Sequence, residues 1–156
     1  SCRKMIRFIN MCDSFNLPLV FLADAPGFMI GQAVERSGIV LAGADLFATI
    51  ARTRVPRLCI ILRRAYTAGL YAMSGSGFFP RGPYALPDAS IGVYGPEAVR
   101  RFLDNLDLPA DEKEETLRFM AEESTPETLL KKGLLTGIIP PDRIRDAIVD
   151  YLALEQ

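Results

Sequence analysis

The stretch from Arg57 to Gly75 limits what this chain can become more than any other. Leu58-Cys59-Ile60-Ile61-Leu62 is an apolar run too short to span a membrane, bounded by the breaker Pro56 and by charge at Arg57, Arg63 and Arg64. Such a run predicts a strand buried on both faces. The small-residue turn Ala65-Tyr66-Thr67-Ala68 follows, and Gly69 to Met73 has helix-forming character. A strand passing through a short turn into a helix leaves the first helical N–H groups without intrahelical acceptors. With the positive end of the helix dipole, they suit an oxyanion. An ordinary buried strand–helix joint is the equal alternative on this stretch alone.

The 156 residues suit one domain with a real core. A formal charge of −1, with Lys and Arg scattered, indicates neither a nucleic-acid footprint nor a membrane-binding face. No apolar run approaches the roughly 18 residues of a spanning helix. Cys2, Cys12 and Cys59 have no metal-like spacing and read as core thiols of a reducing cytosol. Histidine is absent, which excludes Ser-His-Asp and Cys-His catalysis and a histidine-ligated metal within these residues. Chemistry here must use backbone donors, carboxylates, Lys, Tyr or Ser. The start at Ser1 without Met shows no signal-peptide pattern and leaves two readings, an added tag or a piece of something longer.

Met5, Phe8, Ile9, Cys12 and Phe15 recur at helical spacing, predicting an amphipathic helix over 2–16 that Asn16 and Pro18 stop. Leu19 to Ala23 is a second fully apolar strand, followed by the Pro/Gly loop Asp24 to Gly31 at its C-terminal end. Open parallel sheets carry ligands at such loops. Residues 32–53 predict one long helix with Ile39, Leu46, Phe47 and Ile50 on one side. Strand, helix, strand then forms a βαβ unit, and the loops around Gly27 and Ala68 should share a sheet edge. Downstream come a loop over 78–83 and short strands at Tyr84–Leu86 and Ser90–Tyr94. Pro96 opens a helix, and the acidic and Lys-rich segment 110–123 reads as a solvated helix face. Thr125-Pro126-Glu127 opens a short helix ending at Gly133, Ile138-Ile139 is a last strand, and Asp142 caps a C-terminal helix. The class is α/β.

Three runs carry a resemblance: Asp24-Ala25-Pro26-Gly27-Phe28, Leu62-Arg63-Arg64-Ala65-Tyr66 with its turn, and Tyr84-Ala85-Leu86-Pro87-Asp88-Ala89-Ser90-Ile91-Gly92-Val93-Tyr94-Gly95-Pro96-Glu97-Ala98. In order and separation they resemble the C-terminal half of the carboxyltransferase subunit of biotin-dependent acyl-CoA carboxylases and glutaconyl-CoA-type decarboxylases. The stretch from Thr125 to Ile139 resembles that family's closing segment, so the likeness runs over almost the whole chain. It implies a crotonase-like spiral of ββα units, with residues 1–156 as the biotin-side, C-terminal domain. It also implies a partner domain for the acyl-CoA, a biotin carboxyl carrier protein, a homo-oligomer, and a cytoplasmic or mitochondrial-matrix location. No metal, nucleic acid or membrane is expected.

By position in the resemblance, the family's paired oxyanion donors fall on Ala68 and Gly69. Gly27 and Phe28 fall where the Pro-Gly-Phe loop borders the biotin pocket, and Tyr66, Thr67 and Tyr71 fall beside it. Propionyl-CoA-type members have Gly-Gly-Ala-Tyr-Asp where this chain has Thr67-Ala68-Gly69-Leu70-Tyr71. Their two Asp of the closing segment are Thr136 and Gly137 here. Tyr66 and Tyr71 have a bland reading as core tyrosines with satisfied hydroxyls. Arg63 and Arg64 read as a snorkelling pair, Asp24 as a brace for its loop, and Glu97 as a helix-start carboxylate. Ser74 and Ser76 lack a nearby base and are poor nucleophiles. Two other functions compete: a lone crotonase-like acyl-CoA decarboxylase, hydratase or thioesterase, and a non-catalytic assembly domain using the Phe78-Phe79 patch.

Overall fold

The computed structural model describes residues 1–75, 77 and 83–154. Residues 78–82 of the loop predicted over 78–83, the Phe78-Phe79 patch and Ser76 lie outside the described residues. Five parallel strands form one sheet: β1 (Leu19–Ala25), β2 (Arg57–Tyr66), β3 (Tyr84–Ala85), β4 (Ser90–Gly92) and β5 (Gly137–Ile138). β1 lies along one edge of β2. The other edge of β2 is divided between β3, opposite Ile60 and Ile61, and β4, opposite Arg64 to Tyr66; β5 pairs with β3. The predicted double burial of the central run holds for Leu58, Cys59, Ile60 and Ile61, each 3% exposed or less, while Leu62 is only partly buried.

β1 departs from its expected burial. Leu19, Phe21 and Ala23 are buried, but the alternate residues Val20 and Leu22 are 37% and 48% exposed. The register explains this. Val20 and Leu22 lie opposite Leu58 and Ile60, on the sheet face that packs under α8 (Ile144–Leu154) through Ile144, Ile148, Tyr151 and Leu152. That helix covers β2 and β3, and the edge strand stays open. The opposite face lies under α1 (Cys2–Ser14) and α3 (Ile39–Arg52), where Ile9, Cys12, Leu46 and Ile50 meet Phe21, Cys59 and Ile61. Phe8 and Phe15, assigned to the buried stripe of α1 by spacing, point outward at 56% and 72% exposure. Asn16 takes a left-handed φ of 53° and ends that helix.

The single helix expected over 32–53 is two. α2 (Gln32–Arg36) stops at Ser37, and Gly38, at φ 83°, turns the chain into α3. A left-handed residue cannot continue an α-helix, and glycine takes that conformation without a Cβ penalty. Asp13 fastens the end of α1 to the turn before β2, its Oδ1 accepting from Arg54 N at 2.7 Å and Val55 N at 3.3 Å.

α4 (Thr67–Ala72) follows β2 directly, and α5 (Pro96–Asp104) and α6 (Ala110–Glu123) come after β4. α6 has no buried residue, as expected of a solvated helix. α7 (Pro126–Lys131) starts and stops as its sequence predicts: Thr125 Oγ1 accepts from Thr128 N, and Gly133 at φ 71° closes it. Asp142 does not cap the last helix. It lies in a 3₁₀ turn, Pro141–Arg143, with no side-chain capping bond, and α8 continues from it. Proline at 140 and 141 favours that entry without a carboxylate cap. Among the described residues, no helix is long and apolar enough to cross a membrane.

Candidate active site

Because every strand is parallel, the carboxyl ends of β1, β2 and β4 open on one side, and the loops that follow them meet there. The expected meeting of the Gly27 and Ala68 loops is realised at backbone contact. A Cβ added to Gly69 would lie 3.0 Å from Gly27 Cα and 3.1 Å from Gly27 N. Gly27 itself holds φ 119°, open to glycine but strained for other residues. The small-residue turn expected between β2 and α4 is absent as a separate element. The change of direction falls on one residue, Thr67, at φ 45°. By helix geometry, the amides of Thr67, Ala68 and Gly69 have no intrahelical acceptor.

A cleft of about 610 Å³ opens beside this joint. Thr67, Ala68, Leu70 and Tyr71 line one wall, and Gly92 and Val93 continue it. The far wall comes from α6 and α7, with Met120, Glu123, Ser124 and Lys132. Glu123 and Lys132 form an ion pair across the α6–α7 corner. No motif marks this wall. Its only trace in sequence is a carboxylate and an amine nine residues apart, each unremarkable in a solvated segment.

The structure separates the candidate residues. Thr67, Ala68 and Tyr71 share the cleft, with Gly69 buried behind them against Gly27. The Tyr66 ring turns away into a second cleft of about 410 Å³ with Pro26, Arg64, Gly95 and Pro96. Its hydroxyl donates to Ser90 Oγ at 2.9 Å, and a Cβ on Gly95 would lie 2.9 Å from the ring. The Phe28 ring stacks edge-on to Phe47 at 6.1 Å and covers Gly43, so its side chain serves the packing of α3.

Asp24 sits at an irregularity between Ala23 and Ala25 in the β1–β2 ladder. It accepts from Arg63 Nη2 at 2.8 Å and from Arg64 Nε at 3.2 Å. The brace expected of Asp24 is there, and the arginines are tied to it rather than merely snorkelling. The Arg63 hydrogen bond, then that of Arg64, holds the Asp24 carboxyl below its ordinary 3.8, against some desolvation. A carboxyl depressed on folding stabilises fully above its unfolded value and loses that contribution as pH falls from there through the folded one. The group is a third exposed, so the effect is small. Asp24→Asn is expected to flatten the fall of the urea midpoint below about pH 4; identical wild-type and variant slopes would refute this linkage.

The buried Cys59 thiol is pushed up to about 12 by desolvation, which removes it as a nucleophile. Among the described residues, no group of three or more Asp, Glu, His or Cys is arranged to hold a metal ion. The cleft wall at this joint carries the first amides of α4, which by helix geometry lack intrahelical acceptors.

A family model described as the carboxyl transferase domain matches residues 1–156. The chain is 39% identical to an uncharacterized carboxylase of Bacillus subtilis (strain 168) over 97% of its length and 31% of that protein's. It is 32% identical to the methylmalonyl-CoA decarboxylase subunit alpha of Veillonella parvula over 97% of its length and 29% of that subunit's. A crystal structure of transcarboxylase 12S, with methylmalonyl-coenzyme A and methylmalonic acid bound, superposes with a TM-score of 0.88 at 30% identity, covering 98% of this chain and 30% of that one. The chain thus spans about a third of the length of the relatives it matches.

Proposed function

Since the chain belongs to the carboxyl transferase domain family, whose fold is crotonase-like, we propose that it is the biotin-side, C-terminal half of an acyl-CoA carboxyltransferase. The close approach of the Gly27 backbone to Gly69, behind the cleft wall of Thr67 and Ala68, is the observation that carries this reading. It brings two loops together where three amides lack helical acceptors, and fixed donors of this kind are what oxyanion stabilisation needs. Bound biotin supplies a ureido group that carries the carboxyl unit and becomes negatively charged at oxygen when that unit leaves.

The cleft, at about 610 Å³, has room for a fused-ring head, and Ala68 is among its lining residues. Ala68 and Gly69 donate their N–H groups to that oxygen. Gly27, with the Phe28 backbone, fixes the opposing loop; Thr67 and Tyr71 border the ring. Tyr66 acts from behind, through its bond to Ser90. Neither a histidine nor another side-chain base is required of this chain.

Met29, Ile30, Val40 and Leu41 are 70–90% exposed on the loop after β1 and the first turn of α3. Exposed apolar surface of this kind beside a site supports an acyl-CoA-binding domain and further copies of the subunit as neighbours, with a biotin carrier protein as the mobile partner. Amide NMR during titration with biotin methyl ester tests the reading, with coenzyme A in parallel. Shifts confined to Gly27, Phe28 and residues 67–71 with biotin, and none with coenzyme A, are expected. Saturable coenzyme A shifts without a biotin response would turn the assignment to a lone acyl-CoA enzyme.

A further inference from the structure

The wall of the large cleft that faces the strand–helix joint is built by α6, α7 and the residues after them. Ile91 N of β4 donates to Ser124 O at 3.0 Å and ties the α6–α7 corner to the sheet. Of the apolar residues on this wall, Leu129 and Leu135 are buried, Met120 is half-buried, and Leu134 is 45% exposed.

Three polar side chains are described on the same wall, and each is already engaged. The Ser124 hydroxyl donates to Met120 O at 2.7 Å. Glu123 and Lys132 are ion-paired with each other. Among the described residues no other charged side chain lines the cleft, so its one ammonium is matched by its one carboxylate. A hydrocarbon group entering here sheds water from apolar surface and displaces no hydrogen bond. A carboxylate would lose water against leucine and methionine side chains and meet the charge of Glu123, with Lys132 already held by that partner.

Carboxyl transfer requires the acyl α-carbon and the carboxyl unit to lie about 3–3.5 Å apart. A cleft that takes the ureido head beside Ala68 therefore takes part of the acyl group next to it. We propose that the α6–α7 wall determines acyl specificity, and that it selects an acyl group with an uncharged hydrocarbon end over one that ends in a carboxylate. Glu123 is the residue that enforces the choice, by occupying Lys132. The inference rests on the biotin-side reading, which leaves the acyl group open, and it names the substrate class.

Valeryl-CoA and glutaryl-CoA make a matched pair of probes, since the second carries a carboxylate where the first carries a methyl group. Their dissociation constants are measured by calorimetry on the complete carboxyltransferase, with biotin methyl ester titrated in parallel. Valeryl-CoA is expected to bind at least about 10-fold more tightly than glutaryl-CoA. Glu123→Gln frees the ammonium and removes the repulsion, so it should cut that ratio about 3–5-fold by improving glutaryl-CoA binding. Adding Lys132→Met to Glu123→Gln should restore the wild-type preference, which a merely structural role for the pair would not do. Equal affinities in the wild type, or a preference for glutaryl-CoA, would overturn this inference alone. A ratio that Glu123→Gln leaves unchanged would overturn the part assigned to the ion pair. A wild type that takes no biotin methyl ester would overturn the biotin-side reading and this inference with it.

Discussion

If the proposed biotin-side reading holds, replacing Gly69 with proline in the complete carboxyltransferase is expected to cut carboxyl transfer about 100- to 1000-fold, the range for loss of one oxyanion donor. Gly69→Ala is the necessary companion. Both variants place a Cβ 3.0 Å from Gly27 Cα, 3.1 Å from Gly27 N and 3.2 Å from Ala25 Cβ. Two of those neighbours are backbone atoms, so the loop after β1 must shift by a few tenths of an ångström in either case. Overpacking of this kind costs about 1–3 kcal/mol. Only proline also removes the N–H. Proline at this third residue of α4 loses no helical hydrogen bond, but its ring adds a steric cost against a helical Ala68. Circular dichroism should show both variants folded and melting a somewhat larger loss for proline, while transfer rates separate them by far more. Equal rates for alanine and proline would show that the Gly69 amide does not act as a donor.

The largest effect on stability is expected at Ile61. It is fully buried in β2, between Ala23 of β1 and Ala85 of β3, on the face that packs under α1 and α3. Small residues on both sides leave its side chain to fill the space between strands. Ile61→Ala removes that volume where the neighbouring alanines have nothing to extend into it. A loss of about 3 kcal/mol is expected, within the range for buried Ile→Ala changes. For a chain of this size that is a fall of about 6–12 °C in melting temperature. Val20→Ala on β1 is the control: it changes an aliphatic residue of the same sheet that is 37% exposed, and it should cost well under half as much. Equal losses at the two positions would mean that the burial assigned to β2 is wrong.

The strand, joint and loop that frame the candidate site were legible from local pattern. The apolar run of β2 marks a strand buried on both faces, and Thr67, Ala68 and Gly69 mark the joint that follows it. The loop containing Gly27 was expected at the same sheet edge because two parallel strands joined by a helix must end on one side. Thr125 and Gly133 announced the bounds of α7 by capping chemistry, which involves only neighbours in sequence. Where the outcome rested on a distant partner, the pattern misled. Val20 and Leu22 look like core, yet α8, more than a hundred residues downstream, does not reach them. The helical spacing of residues 32–53 hid the left-handed turn at Gly38.

The same division holds for the cleft. The sequence by itself determined the parallel α/β class, the central strand and the position of the strand–helix joint, because strand burial, capping and glycine permissiveness act within a few residues. Tertiary structure alone decided that Tyr66 and Thr67, adjacent in the chain, face different clefts, since Tyr66 is the last residue of β2 and Thr67, at φ 45°, turns the chain into α4. It alone placed Glu123 and Lys132 across from Ala68, and it alone put the Gly69 backbone against Gly27. Those contacts join segments about 40 to 65 residues apart, and no local periodicity encodes which of them will touch.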